Sequence, residues 1–351
     1  MSSDPFADRY SRQTRLPGIG KAGQERIRNA RVTLCGVGAL GTVLANTLVR
    51  AGVGHLRLID RDFVEPSNLQ RQVLFDESDV LDNLPKAEAA ARKLRAINSQ
   101  VTVEPVTADI DRTNIEELCR DADLILDGTD NFEVRYLIND VAVKLGKPWV
   151  YGGAVGVEGM TMTILPGQTP CLRCVFEASP GPGEVGTCET AGVLGPIVSV
   201  IASLQAAEGL KLLAGKPEAI SRELFLINLW ENTSRRVKVA PLAGRKGKCP
   251  CCALRQFEWL DGKHGTQTTS LCGRNAVQVS QRRATPLDFA TLARNLEKSG
   301  PVAANKFLMK FTVTDGGEPH EFTVFPDGRA IIKGTSDTDR ARTLYAKYIG
   351  Y

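Results

Sequence analysis

The chain has 351 residues, 42% hydrophobic and 24% charged, which places it among globular sequences and suits one large domain with a smaller one. Its 44 Lys+Arg against 40 Asp+Glu leave a net charge of +4, too little for a general nucleic-acid binder. The excess sits in residues 273–351, where 12 basic side chains stand against 8 acidic ones. His55, His264 and His320 are far apart and outside every motif below, which argues against a His-centred triad or a His-rich metal site.

Met1 to Ala7 has neither the basic start nor the apolar core of a signal peptide. Nine cysteines in such a chain point to metal or thiol chemistry in a reducing compartment, so a cytoplasmic protein with no membrane or nucleic-acid partner is expected. A β-type run at 31–35 leads into the turn Gly36-Val37-Gly38-Ala39-Leu40-Gly41 and an apolar helical pattern that stops at Gly52. A second strand, 55–59, ends at Asp60. Helical segments at 86–97 and 114–120, a strand at 124–127, a helix near 132–145 and a strand at 149–153 follow. This alternation predicts a doubly wound, mostly parallel α/β sheet of Rossmann type. Residues 178–187, rich in Gly and Pro, read as a mobile loop. Val193 to Leu213, broken by Pro196, Gln205 and Glu208, reads as a buried helix rather than a membrane span. Residues 259–272 read as a linker. Beyond it come a strand at 276–280, a helix at 286–300, strands at 306–313, 321–326 and 329–334, and a helix from about 339 to 348. A tight turn at 325–329 joins the last two strands. These predict a separate small α+β domain over 273–351, after a main domain over 1–258.

Gly36, Gly38 and Gly41 lie between a strand and a helix, where backbone N–H groups and the helix N-terminus can cradle phosphate. Asp60, nineteen residues beyond Gly41, can accept from ribose hydroxyls. That pattern alone fits NAD as well as ATP. Asn68, Arg71 and Lys86 supply polar and cationic groups beyond what a pyrophosphate needs and favour a triphosphate. Asp130, in Asp127-Gly128-Thr129-Asp130-Asn131 after the strand at 124–127, can hold Mg²⁺ between phosphates.

Cys171-x-x-Cys174 and Cys249-x-x-Cys252 are two thiolate pairs, enough for a closed structural Zn²⁺ site. Cys251 offers a second choice of ligand; the two-residue spacer favours Cys249 and Cys252. Cys188, outside any pair and just after the Gly/Pro loop, reads equally as a nucleophilic thiol or a packed small residue. Cys35 and Cys119 read as packing residues, and Cys272 has no assigned role.

These residues, with Arg9-Tyr10-Ser11-Arg12-Gln13, Ser67 to Gln72 and Pro85-Lys86, resemble the MoeB/ThiF family, relatives of the ubiquitin-activating enzymes, over about residues 9–258. The resemblance implies a homodimer that uses ATP and Mg²⁺ to adenylate the C-terminal Gly-Gly carboxylate of a ubiquitin-like sulfur-carrier protein in molybdopterin, thiamine or thiolation chemistry. It implies that Asp60 and Asp62 hold ribose, that Asn68, Arg71 and Lys86 hold phosphates, that Gln72 is a further nucleotide-binding residue, and that Asp130 holds Mg²⁺. Arg12 would reach into the partner subunit's phosphate site. Residues 273–351 carry no rhodanese-type cysteine loop, so sulfur would come from a separate donor or through Cys188. A thioester or acyl-disulfide at Cys188, an NAD-dependent oxidoreductase, and a tail that docks an acidic carrier are the competing expectations.

Overall fold

The computed structural model describes residues 8–178, 191–263, 269–271, 275–279, 287, 289–296, 301–315 and 317–349. The chain falls into two compact units, one ending at His264 and the other covering Gly265–Tyr351.

In the first unit, two helices, α1 (Ser11–Thr14) and α2 (Gly20–Asn29), precede β1 (Arg31–Cys35), α3 (Ala39–Ala51) and β2 (His55–Ile59). Then come α4 (Glu77–Leu81), α5 (Lys86–Ile97), β3 (Thr102–Val106), α6 (Ile115–Arg120), β4 (Leu124–Asp127) and α7 (Phe132–Leu145). The unit continues through β5 (Trp149–Val155), β6 (Glu158–Ile164), α8 (Leu172–Val175), α9 (Gly195–Leu213), β7 (Glu223–Asn228) and β8 (Thr233–Lys238). The eight strands form one sheet in the order β3-β2-β1-β4-β5-β6-β7-β8. The first five are parallel and the last three run antiparallel. Order 3-2-1-4-5 is that of a doubly wound sheet, whose ligands bind where the winding reverses, between β1 and β4.

The parallel strands are covered on both faces. α3 packs with α5 and α9, and α6 packs with α7. That double cover is why β1 and β4 are buried at nearly every position rather than at alternate ones. α9 is long and apolar enough to cross a bilayer by composition. Here it lies on the sheet against β4, β5 and β6, burying Ile197, Ile201, Gln205 and Ala206 at helical spacing. It is a core helix, as its sequence suggested. β3, β6, β7 and β8 carry no pattern that the sequence reading picked out. β8 is exposed along its whole length, so burial leaves no signature in it.

The second unit is a six-stranded sheet in the order β11-β12-β13-β14-β10-β9, antiparallel throughout. Its strands are β9 (Thr269–Leu271), β10 (Ala276–Val279), β11 (Val302–Ala304), β12 (Met309–Asp315), β13 (Glu318–Val324) and β14 (Ala330–Lys333), with helices α10 (Phe289–Leu296) and α11 (Thr338–Tyr348). Its own core gathers Val277, Phe311, Phe322, Ile332, Leu344 and Tyr345. The expected turn closes as Phe325 N–H donates to Arg329 O at 2.8 Å, with Gly328 in the left-handed region. β9 lies within the stretch read as linker and pairs with β10. Residues 179–187 of the expected mobile loop, with Cys188 and Cys272, lie outside the described residues.

Candidate functional site

The glycine loop sits at the carboxyl end of β1, and its three glycines have different reasons to be there. A Cβ at Gly36 (φ +88°) would lie 2.8 Å from the backbone of Gly128, and one at Gly41 would lie 2.1 Å from Gly36 O. Gly36 is demanded by the packing of this loop against the chain just after β4, and Gly41 by the return of α3 onto the loop's own backbone. Gly38 is not: its nearest neighbour would be Gly128 O at 3.9 Å. Bare backbone there leaves room for something outside the protein to approach. Gly38 is also the N-cap of α3, with no side-chain cap and no acid in the first turn, so the helix N–H groups and positive end face that opening.

Asp60 ties the loop to the end of β2. One carboxylate oxygen accepts from Val37 N–H at 2.7 Å and the other from Asp62 N–H at 2.8 Å. Burial raises the Asp60 carboxyl above its ordinary range, against the pull of Lys86 and these backbone donors. The chain then runs back beside itself. Phe63 bridges Pro85, Val64 N–H donates to Leu84 O at 2.9 Å, and Lys86 N–H donates to Asp62 O at 2.9 Å. This pairing carries Lys86 into the site, where its Nζ lies 3.1 Å from Asp62 Oδ2 although only 5% of the side chain is exposed. Arg61 pairs with Asp109 at 2.9 Å and approaches Asp62 at 3.8 Å. Burial works against the Arg61 charge, but Asp109, Asp62, Asp130 and Asp60 outweigh it and raise its pKa.

A 3-10 turn at Pro66–Asn68 follows, fixed by Asn68 Oδ1 accepting from Glu65 N–H at 3.1 Å. Arg71 donates to Ser67 O at 2.8 Å, and Gln72 N–H to Asn68 O at 2.9 Å. The buried Gln72 Oε1 has no hydrogen-bond partner among the described residues, an acceptor in want of a donor.

The loop after β4 is clamped from both faces of the sheet. Asp127, fully buried, accepts from Thr129 N–H at 2.9 Å and from Thr129 Oγ1 at 2.8 Å. From α7, Arg135 donates to Asp127 Oδ2 at 3.2 Å, Thr129 O at 2.7 Å and Gly152 O at 3.2 Å. From α9, Gln205 donates to Asp127 O at 2.9 Å and Val150 O at 3.1 Å. Burial raises Asp127, and the Arg135 charge opposes that rise. Asp130 is left exposed on the clamped loop, and its charge reaches both Arg61 and Arg135. Asn131 then caps α7 by accepting from Glu133 N–H at 2.8 Å.

Arg12 is not in this group. α1 is anchored beyond the other end of α3: Gln13 donates to Ala51 O at 2.9 Å, and Tyr10 OH accepts from Asn98 at 2.8 Å while its ring rests against Gly52. α3 has 13 residues and is therefore about 20 Å long, more than an arginine can span.

The four expected cysteines come together from distant segments. Cys171 lies 3.8 Å from Cys174 and 3.6 Å from Cys249, and Cys174 lies 3.4 Å from Cys252. All four sulfurs are within 4.8 Å of one another. Zn–S bonds of about 2.3 Å in a tetrahedron put sulfurs about 3.8 Å apart, so the donor set and its spacing fit zinc. Crowded thiols also need a cation to ionise together: neighbouring thiols hold Cys171 and Cys174 far up, while Cys252 is lowered to about 7 by hydrogen bonds from Cys171 and Cys174. Cys251 points elsewhere, its sulfur accepting from Asn139 Nδ2 at 3.2 Å.

The sequence reading did not assign Arg61, Arg135, Gln205 or Asn139. Their one signal is a polar side chain inside an apolar helix for the last three, and a place in the charged run for Arg61. The chain matches the ThiF family over residues 10–251. It is 45% identical over 343 residues to the sulfur carrier protein ThiS adenylyltransferase of Bacillus subtilis (strain 168), spanning 97% of this chain and 99% of that protein. It is 42% identical over 250 residues to the sulfur carrier protein adenylyltransferase of Thermus thermophilus, over 70% of this chain and 90% of that one. A solved structure of E. coli MccB with ATP is similar with a TM-score of 0.60 at 25% identity, over 70% of this chain and 75% of that one. The glycine loop therefore stands with those of an ATP-using adenylyltransferase family rather than with NAD enzymes, and the chain belongs to the ThiF family.

Proposed function

We propose that the chain is an ATP-dependent adenylyltransferase of a ubiquitin-like sulfur-carrier protein. The observation that carries this reading is the meeting, at one sheet edge, of an open glycine cradle with Lys86, Asp62 and Asp130, in a chain nearly half identical to a ThiS adenylyltransferase along its whole length. An oxygen of the carrier's C-terminal Gly-Gly carboxylate attacks the α-phosphorus of ATP. The bond from that phosphorus to the bridging oxygen breaks, and pyrophosphate leaves with the electron pair. The attacker is already an anion, so the protein need supply position and positive charge rather than a base.

The backbone at Gly36, Gly38 and Gly41 and the start of α3 face the phosphates. Asp60 and Asp62 keep lone pairs for ribose hydroxyls. Asn68, Arg71, Gln72 and Lys86 serve the leaving phosphates, with Lys86 held ready by Asp62 in a site where little water weakens its charge. Asp130 would hold Mg²⁺, which would supply positive charge to the phosphates. The distance between α1 and the glycine loop supports Arg12 acting in the partner's site of a homodimer. Cys171, Cys174, Cys249 and Cys252 would hold a structural zinc.

We read residues 1–258 as the adenylating domain and 273–351 as a small domain of separate role, with sulfur supplied by another protein. Exchange of labelled pyrophosphate into ATP tests the reading, with Gly-Gly-ended carriers each paired with a version lacking the last glycine. Exchange that needs one carrier and its terminal glycine is expected. ATP binding without exchange for any carrier would refute the assignment.

A further inference from the structure

Among the buried polar side chains of α7, Arg135 and Asn139 lie one turn apart. Arg135 reaches back to the nucleotide loop. Asn139, four residues on and about 6 Å along the axis, reaches the cysteine cluster. Asn139 is fully buried and uses both ends of its amide: Oδ1 accepts from Leu172 N–H at 2.8 Å, and Nδ2 donates to Cys251 Sγ at 3.2 Å. Leu172 lies within the first cysteine pair, and Cys251 within the second.

Residues 249–252, Cys-Pro-Cys-Cys, offer three sulfurs for two places at the metal. Cys251 is no remote bystander, for it is buried in one cluster with Cys171, Cys174 and Cys249. A neighbour on α7 nevertheless occupies it: Asn139 donates to its sulfur at 3.2 Å. The sulfurs of Cys249 and Cys252 face Cys171 and Cys174 instead.

We propose that Asn139 is a positioning residue that selects the zinc ligands, holding Cys251 out of the tetrahedron while fixing the first cysteine pair through Leu172. The inference rests on the zinc reading above, and it predicts a coupling that a mere packing role would not produce. With Asn139 in place, Cys251 cannot replace a missing ligand. Without it, Cys251 is free to swing inward.

The test is zinc retention by the full chain under competition with a chromogenic chelator. Wild type and Cys251→Ser should each hold one zinc per chain, and Cys252→Ser should hold it at least about tenfold less tightly. Adding Asn139→Ala to Cys252→Ser should restore retention above that of Cys252→Ser alone. Should the alanine variant fail to fold, Asn139→Leu keeps the side chain's volume without a donor to Cys251 or a new charge or zinc ligand, and gives the same reading. A double variant that retains no more zinc than Cys252→Ser overturns the selecting role and leaves the zinc site standing. A wild-type chain without zinc removes the site and the inference together.

Discussion

Replacing Arg135 with methionine keeps an unbranched apolar stem in place of the arginine's and removes its charge from a place where little solvent can substitute. Asp127 has no exposure and Arg135 only 6%, so the variant strands a buried carboxylate with Thr129 as its remaining side-chain partner. Breaking a buried pair from one side costs about 3–5 kcal/mol, because the lone charge stays desolvated. For a unit of this size each kcal/mol moves the thermal midpoint by roughly 2–4 °C, so a fall of roughly 6–20 °C is expected. Differential scanning fluorimetry or calorimetry reads it. Adding Asp127→Asn should recover most of the loss, since an amide can still accept from Thr129 and carries no charge. ATP–pyrophosphate exchange should stay depressed in the double variant, because Thr129 O and Gly152 O still lack their donor and the Asp130 loop is loose.

The pH dependence follows from the sign of the Asp127 shift. Its folded pKa lies above the ordinary 3.8, so the native state binds this proton more readily than the unfolded chain does. Stability from this group is therefore full below 3.8 and falls as pH rises through the folded value. Removing Arg135 raises that value further. The deficit of Arg135→Met should be greatest at neutral pH and shrink on acidification. A variant whose midpoint stays within about 2 °C of wild type at pH 7, or one that Asp127→Asn does not rescue, would refute the buried clamp.

Two glycines separate fold from binding. Gly41→Ala puts a methyl 2.1 Å from Gly36 O and should unfold or strongly destabilise the first unit, whereas Gly38→Ala meets nothing nearer than 3.9 Å and should keep the fold while losing ATP in a calorimetric titration. A Gly38→Ala protein that binds ATP normally would remove the phosphate cradle. Lys86→Met should lower exchange by about 10²–10³ while circular dichroism stays unchanged, since it removes a positioned cation from a shielded site; an effect below tenfold would take Lys86 out of the reaction.

What the sequence made legible was local. Gly36 to Gly41 lie within six residues, each cysteine pair within four, and the charged and polar groups from Asp60 to Gln72 within thirteen, so spacing alone exposed them. What it hid was held by tertiary contact. Gln205 looked like an interruption in an apolar helix, and only the packing of α9 on β4 and β5 turns it into a clamp on Asp127 O. Arg135 on α7 meets Asp127 at the end of β4 across a strand end and a cap, so no single helix or strand period relates the two. Strands β6 to β8 escaped because their pairing is antiparallel and partly solvent-facing, unlike the doubly covered runs that announced β1 and β4.

The position of Arg12 allows a sharper test than its loss alone. α1 is fastened to residues 51, 52 and 98, about 20 Å down α3 from Gly38, so Arg12 cannot serve the glycine loop of its own chain. If it serves the partner's loop, Arg12→Ala and Lys86→Met are defects in two different chains of one site. Mixed and re-equilibrated in equal amounts, the two inactive proteins form half their dimers as hybrids. Each hybrid has one site that lacks both groups and one that lacks neither. Exchange should then return to about a quarter of the wild-type rate, a statistical value that needs no fitted affinity. Were Arg12 to act within its own chain, every site in the mixture would lack one group and the rate would stay at that of the separate variants. Recovery distinguishes the two arrangements even if Arg12→Ala weakens the dimer, because weaker association lowers the hybrid fraction at low protein concentration and a concentration series brings it back.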